Sequence, residues 1–275
     1  MYGVKKFKLR HIYSYFLTIL LLILIYEYYS WNVNTVMLPT IIVITPTYSR
    51  PERIADMTRF SQTLMHIKNL HWIVIEDGNK TVDAVKRLLA RTGLIHTYFY
   101  TTTEYKFPRR GWSHRNAALM YIRKNYASYR RPGVVFFADD DNSYDIRLFN
   151  DYIRNVKTIG FWAVGLAGAA KVEAPHVENG TIVGWDVVYA PKRKFASDMA
   201  GFAVNLKLIL TTNASFHRGC VKRAPETCFL EQFKVRLNET QAFGWDQEPK
   251  DILVWHTKTR NIGTQGEKHG YVVEP

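Results

Sequence analysis

The sequence predicts an α/β fold, a mostly parallel sheet covered by helices followed by a smaller half, behind one N-terminal transmembrane helix. Three observations carry this. From residue 39 to residue 137, short apolar runs alternate with amphipathic stretches, the order of strands and crossover helices in a parallel sheet. After Asp141 the alternation gives way to two runs joined by Glu178-Asn179-Gly180, a hairpin signal. Ahead of both halves, an unbroken apolar run follows a basic cluster.

The elements follow in order. Lys5, Lys6, Lys8 and Arg10 precede the apolar run Ile12 to about Tyr26, and no further Lys or Arg occurs until Arg50. Basic residues stay on the cytoplasmic side, so everything after the run is expected to be translocated. The run makes about 26 Å of helix, enough for a thin bilayer. Glu27, Tyr28, Tyr29, Ser30 and Trp31 follow it with no small-residue cleavage site, which favours a retained anchor over a removed signal peptide.

The folded part begins at Pro39. Ile41 to Thr45 reads as a buried strand, and Ile54, Met57, Phe60, Leu64 and Ile67 mark one helix face. A strand over Trp72 to Ile75 ends in Glu76, Asp77 and Gly78. A helix over Val82 to Ala90, a strand over Ile95 to Tyr100 and a helix over Ser113 to Tyr126 come next. Val134 to Phe137 forms the following strand. Beyond it are expected a helix near Ile146 to Val156, a hairpin built from Trp162 to Val172 and Thr181 to Tyr189, and a last strand over Ile252 to Trp255.

Composition narrows the class. The chain has 275 residues, 47% hydrophobic and 14% aromatic, ample for a large core. A formal net charge of +13 calls for an anionic partner or surface. The basic residues are scattered without a basic arm or nucleic-acid motif, so no nucleic acid is expected as partner. Sequons at Asn79, Asn179, Asn213 and Asn238 are candidate glycosylation sites in a luminal chain. Cys220 and Cys228 are the only cysteines; their spacing leaves pairing or separate burial open. Neither is near the membrane segment, so no covalent dimer through the stem is available.

The chemistry concentrates at the predicted strand ends. Val134 to Ala138 runs straight into Asp139, Asp140 and Asp141. Adjacent carboxylates repel one another unless a cation sits among them. Oxygen ligands of this kind suit Mg²⁺ or Mn²⁺ with phosphates completing the shell, and strand carboxyl ends are where α/β sheets bind ligands. Thr45 to Tyr48, Glu76-Asp77, Arg109-Arg110, Arg115-Asn116 and His256 to Lys258 hold equivalent positions. Tyr48 suits a base, Asp77 its hydrogen-bonding edge, and Arg110 and Arg115 the phosphates of a nucleoside diphosphate. Glu226, by contrast, reads only as a first-turn helix carboxylate that favours the dipole.

Pro46-Thr47-Tyr48-Ser49-Arg50, Arg110 with Arg115-Asn116, Phe137 to Asn142, Asp198-Met199-Ala200-Gly201-Phe202-Ala203-Val204 and Val254-Trp255-His256-Thr257 together resemble the β-1,3-glucuronyltransferases of glycosyltransferase family 43. The resemblance covers residues 39–275 and implies a GT-A fold, with a Rossmann-like nucleotide-binding half and a smaller mixed-sheet acceptor half. It implies inverting transfer of glucuronic acid from UDP-glucuronic acid to the 3-hydroxyl of a terminal galactose, with Mn²⁺, in a Golgi type II membrane protein. Pro46, Tyr48, Asp77, Arg110, Arg115, Asp139, Asp140, His256 and Lys258 map to the donor, and Asp141 to the metal. Glu173, Tyr189, Arg193 and Asp198 map to the acceptor or sugar, and Glu226 to the catalytic base. A homodimer is implied too, with the tail near Tyr271 to Pro275 reaching the partner's site.

The domains expected are a tail over 1–11, an anchor over 12–29, a stem over 30–38, a UDP-sugar and metal half over 39–142 and an acceptor half over 143–275. Lys258 stands where the family usually has Arg, replacing a fork with a point charge, and Tyr189 replaces the more usual Trp. These departures leave two alternatives open: a transferase using another UDP-sugar, or a membrane-anchored sugar-binding protein without turnover.

Overall fold

A computed structural model describes residues 13–28, 38–108, 111–129, 131–221 and 224–259. The chain separates into two compact units, 1–38 and 39–275. In the first, helix α1 covers 13–28, and Leu17, Leu20, Leu21 and Leu24 on it are exposed. Its described residues make about 24 Å of helix. Among the described residues no helix is long and apolar enough to cross a membrane; residues 12 and 29 of the expected span lie outside them.

The second unit is built on a seven-stranded sheet. Its first half runs β1 (Thr40–Thr47), α2 (Arg53–Leu64), β2 (Leu70–Asp77), α3 (Asp83–Thr92), β3 (Ile95–Thr101), α4 (Trp112–Asn125) and β4 (Gly133–Phe137). β1 pairs in parallel with β2 and β4, and β2 with β3. β1 and β4 are apolar on both faces because helices cover both, whereas β3 at the sheet edge is exposed or half-buried along its length. Ile41 and Val43 pack with Met57, Phe60 and Leu64 of α2, while Ile42 and Ile44 pack with Ala118, Leu119 and Ile122 of α4. The strand period of two thus assigns alternate residues of β1 to two cores.

The second half begins with β5 (Ser143–Tyr144), β6 (Ile159–Phe161), β7 (Val164–Gly165), β8 (Val172–Glu178) and β9 (Thr181–Asp186). It continues with β10 (Phe202–Asn205), α5 (Leu206–Thr211), α6 (Pro225–Glu231), β11 (Gln241–Ala242) and β12 (Val254–Trp255). The large sheet has the order β11-β6-β10-β4-β1-β2-β3, and β5-β12-β7-β8-β9 form a smaller one. β10 runs antiparallel to β4 and β6, so the second half is fused to the first through backbone hydrogen bonds.

Two expectations need correction. The helix near 146–156 is a π turn over Leu148–Tyr152 followed by a 3-10 turn over Ile153–Asn155. Leu148, Phe149, Tyr152 and Ile153 are all buried, so the periodicity reported burial rather than α-helical hydrogen bonding. The hairpin pairs β8 with β9, and most of the segment expected as its first arm is instead β7 and the turn that leads into β8. β10 has no counterpart among the expected elements: its four residues lie in a mostly apolar stretch, 199–210, where Gly201 before the strand and Asn205, the N-cap of α5, are the only marks of its ends.

Candidate active site

Because β1, β2 and β4 are parallel, their carboxyl ends open on one edge, where a cleft of about 1070 Å³ lies. Pro46, Tyr48, Asp77, Arg115, Asp139, Asp140 and Asp141 line it, together with Glu173, Tyr189, Arg193, Asp198, Glu226, His256 and Lys258. Arg110 lies outside the described residues. The four sequon asparagines are all exposed elsewhere on the surface.

The three consecutive aspartates have different partners. Asp140 is buried and accepts hydrogen bonds from Thr47 Oγ1 (2.6 Å) and from Arg50 Nη1 and Nη2 (3.0 and 2.9 Å). Burial raises its carboxyl while the guanidinium and hydroxyl oppose that shift. Asp139 is paired with the guanidinium of buried Arg115. At Asp141 it is the backbone carbonyl that is held, by Arg59 Nη2 at 3.0 Å and Thr257 Oγ1 at 2.6 Å. Burial and then the two neighbouring aspartates push its carboxyl up to about 6. Of the three, Asp141 has the carboxylate with no ion pair among the described residues, which fits a hard divalent cation.

Strand alternation explains the Glu76-Asp77 pair. Glu76 turns into the core, where it binds fully buried Arg53 at 2.5 Å and the Tyr98 hydroxyl. Asp77 reaches the cleft and accepts from Thr103 Oγ1 at 3.0 Å. Asn116 is likewise occupied, its amide bonded to both the N–H and the carbonyl of Phe216. Tyr48 is 56% exposed with Arg50 stacked on one face at 5.0 Å, leaving a ring available to a base.

Across the rest of the cleft, α6 starts with Pro225, whose missing N–H suits the first helical position. That fixes Glu226 in the first turn, 15% exposed, with Oε2 3.7 Å from Arg193 Nη1. Burial pushes its carboxyl up to about 7, Asp198 adds to the rise, and Arg193 and Arg115 oppose it. Asp198 caps a 3-10 turn through Ala200 N–H (2.9 Å) and holds His256 Nδ1 at 3.0 Å. The Asp198 hydrogen bond raises the His256 pKa against burial. Arg193 stacks on Tyr189 at 5.0 Å. Buried Glu173 has Oε1 without a hydrogen-bond partner among the described residues, and burial raises its pKa.

Sequence reasoning missed three contributors. His114 is 1% exposed at its side chain, lines the cleft, and directs Nε2 at Thr101 O (3.1 Å) and Asp77 Oδ1 (3.3 Å). Burial lowers its pKa, so at neutral pH it is the Nε2–H tautomer that donates. A lone His in a helical run gives no signal of that role. Gly111 has φ 73°, and a Cβ there would lie 2.7 Å from Arg115 Nη1; its position before a helix was the available cue. Arg50 was noted only as part of a motif. Cys220 and Cys228 are disulfide-bonded with Cα atoms 5.6 Å apart, closing a loop around Glu226. Neither is therefore a thiolate, although His217 lies within 3.8 Å of Cys228 Sγ.

Comparisons with known proteins bear on this geometry. The family model described as glycosyltransferase family 43 matches residues 60–260. Galactosylgalactosylxylosylprotein 3-beta-glucuronosyltransferase 1 of Homo sapiens is 43% identical over 252 residues, covering 84% of this chain and 73% of that protein. Galactosylgalactosylxylosylprotein 3-beta-glucuronosyltransferase 2 of Homo sapiens is 41% identical over 238 residues, covering 84% and 72%. The crystal structure of S. aureus TarS 1–349 superposes with a TM-score of 0.51 at 16% identity, over 79% of this chain and 60% of that one. That likeness shows a shared GT-A-like fold. The chain belongs to glycosyltransferase family 43, and its enzyme class is that of the glucuronosyltransferases.

Proposed function

We propose that the protein is an inverting β-1,3-glucuronyltransferase that moves glucuronic acid from UDP-glucuronic acid to the 3-hydroxyl of a terminal galactose. The observation that carries the reading is one cleft holding both the Asp139–Asp141 triplet and Glu226, a half-buried carboxyl pushed up to about 7 beside Arg193. A general base works best with a pKa near the working pH. Glu226 takes the proton from the acceptor hydroxyl, the freed oxygen attacks the anomeric carbon, and the bond to the diphosphate breaks with its electron pair leaving on UDP. A single in-line displacement of this kind inverts the centre.

The other residues bind and orient. Tyr48 stacks on the base and Asp77, steadied by His114, accepts from its edge. Arg115, set by Asp139, binds the diphosphate with His256 and Lys258, and the resemblance alone adds Arg110. Glu173, Tyr189 and Arg193 hold the acceptor, and Asp198 fixes the ring of His256. Asp141 would hold Mn²⁺, which when bound supplies charge neutralisation to the departing diphosphate.

The same reading places the chain in the Golgi membrane as a single-pass type II protein, anchored over 12–29 with residues 39–275 in the lumen. Support comes from the basic cluster before the run, four exposed sequons and a disulfide suited to an oxidising compartment. A homodimer with the tail crossing to the partner rests on the resemblance alone; residues 271–275 lie outside the described residues. The test is transfer by the full chain with Mn²⁺, offering UDP-glucuronic acid, UDP-glucose, UDP-galactose and UDP-N-acetylglucosamine to galactose-terminated acceptors. Preferential glucuronate transfer, lost on chelation, supports the reading. Preference for another donor, or UDP binding without transfer, overturns it.

A further inference from the structure

A separate cavity of about 450 Å³ shares no lining residue with the cleft and falls in the size range of ligand pockets. Its walls combine the aromatic rings of Tyr152, Phe243 and Trp245 with the polar side chains of His176, Asp186 and Lys250. That combination suits a sugar, whose C–H face packs on an aromatic ring while its hydroxyls bond to charged groups. The cavity lies behind β8: Val172 and Ala174 line it, while Glu173 between them lines the catalytic cleft, as strand alternation requires.

The source of a sugar stands beside it. β8 and β9 turn at Asn179 (φ 48°) and Gly180 (φ 77°), a tight hairpin turn. Asn179-Gly180-Thr181 is a sequon with Asn179 exposed. A Cβ on Gly180 would lie 3.9 Å from Trp245 Cζ2, so one indole reaches both the cavity and the foot of the sequon. We propose that this cavity seats the proximal sugars of an N-glycan on Asn179, with Trp245 as the stacking platform, so that the glycan braces the strand carrying Glu173. Attachment favours this occupant over a free glycan, because the tether holds the sugar at high local concentration. The inference rests on the luminal placement proposed above.

The test uses the full chain purified from a glycosylating eukaryotic host. Site occupancy is mapped by mass spectrometry, and hydrogen exchange is followed over 172–178 and 243–253. Glycan on Asn179 is expected, with both segments losing protection in Asn179→Gln and Thr181→Ala alike. Thermal midpoints should fall by about 2–4 °C in both, and Trp245→Ala should add nothing in the Asn179→Gln background. Trimming to one sugar should retain the protection. An occupied Asn179 whose removal leaves exchange unchanged overturns the proposal. So does an empty Asn179 with other sequons filled, which leaves the luminal reading intact; no glycan at any sequon overturns both. Protection of these segments by added free glycan in Asn179→Gln, with none lost on removing the tethered one, would mean a free-glycan site instead.

Discussion

Arg50 grips Asp140 with both terminal guanidinium nitrogens, at 3.0 and 2.9 Å, across a separation of 90 residues. The same guanidinium also reaches Asp56 at 2.9 Å, so it ties the end of β4 to the start of α2. Removing one partner of a nearly buried pair leaves the other charge uncompensated, at about 3–5 kcal/mol. Arg50→Ala should therefore lower unfolding stability by about that much in a urea titration. Arg50→Lys, which keeps the charge and loses the fork, should fall between the two. A fully stable Arg50→Ala would show that Asp140 is held by other contacts.

Gly111 makes room for Arg115. Its φ of 73° costs a residue with a Cβ about 1–2 kcal/mol, and that Cβ would meet Arg115 Nη1 at 2.7 Å and Pro46 Cγ at 3.0 Å. Gly111→Ala should raise the KM for the donor by about tenfold while changing the acceptor KM little, since a displaced guanidinium weakens diphosphate binding. Steady-state kinetics with each substrate varied in turn checks this. An equal rise in both would trace the loss to general unfolding of the cleft.

Much of the donor edge was readable because it follows from strand order. Parallel β1, β2 and β4 must present Tyr48, Asp77 and Asp139 to Asp141 together, and apolar runs located those strands to within a few residues. Roles set by contacts between distant segments were not readable. Glu76 and Asp77 are adjacent and chemically alike, yet burial against Arg53 removes one from the cleft. His114 steadies Asp77 only because α4 packs at the ends of β2 and β3. Glu226 entered through resemblance alone; its tuning depends on burial and on Asp198, 28 positions away in sequence.

Asp141 should be the aspartate whose loss separates metal from fold. Asp141→Asn keeps the backbone carbonyl that Arg59 and Thr257 bind and removes a charge that burial opposes. The fold should therefore be retained and gain about 1–3 kcal/mol at pH 8 without metal, with the gain closing near pH 4. Transfer should fall by about 10²–10³-fold, the scale of losing a centre that stabilises developing charge. Calorimetric titration of UDP with and without Mn²⁺ gives the readout, and the metal's enhancement of UDP affinity should vanish. Enhancement retained in Asp141→Asn would move the ligand to Asp139 or Asp140.

Glu226 links activity and stability with opposite signs. The base acts deprotonated, so transfer should rise with pH and level off above about 7. Stability runs the other way. A carboxyl raised from its ordinary value to about 7 keeps its proton in the folded state where the unfolded chain has lost it. Its contribution is complete below the unfolded pKa, about 4.3, and is lost as pH rises towards 7. Glu226→Gln removes the charge that burial opposes. It should abolish transfer yet be more stable than the parent by about 1–3 kcal/mol at pH 8, with the gap closing near pH 5. Urea titrations at both pH values measure it. A variant inactive but no more stable at pH 8 would mean that the charged carboxylate is fully compensated by Arg193 and the helix dipole; a variant with appreciable transfer would mean the base is another residue.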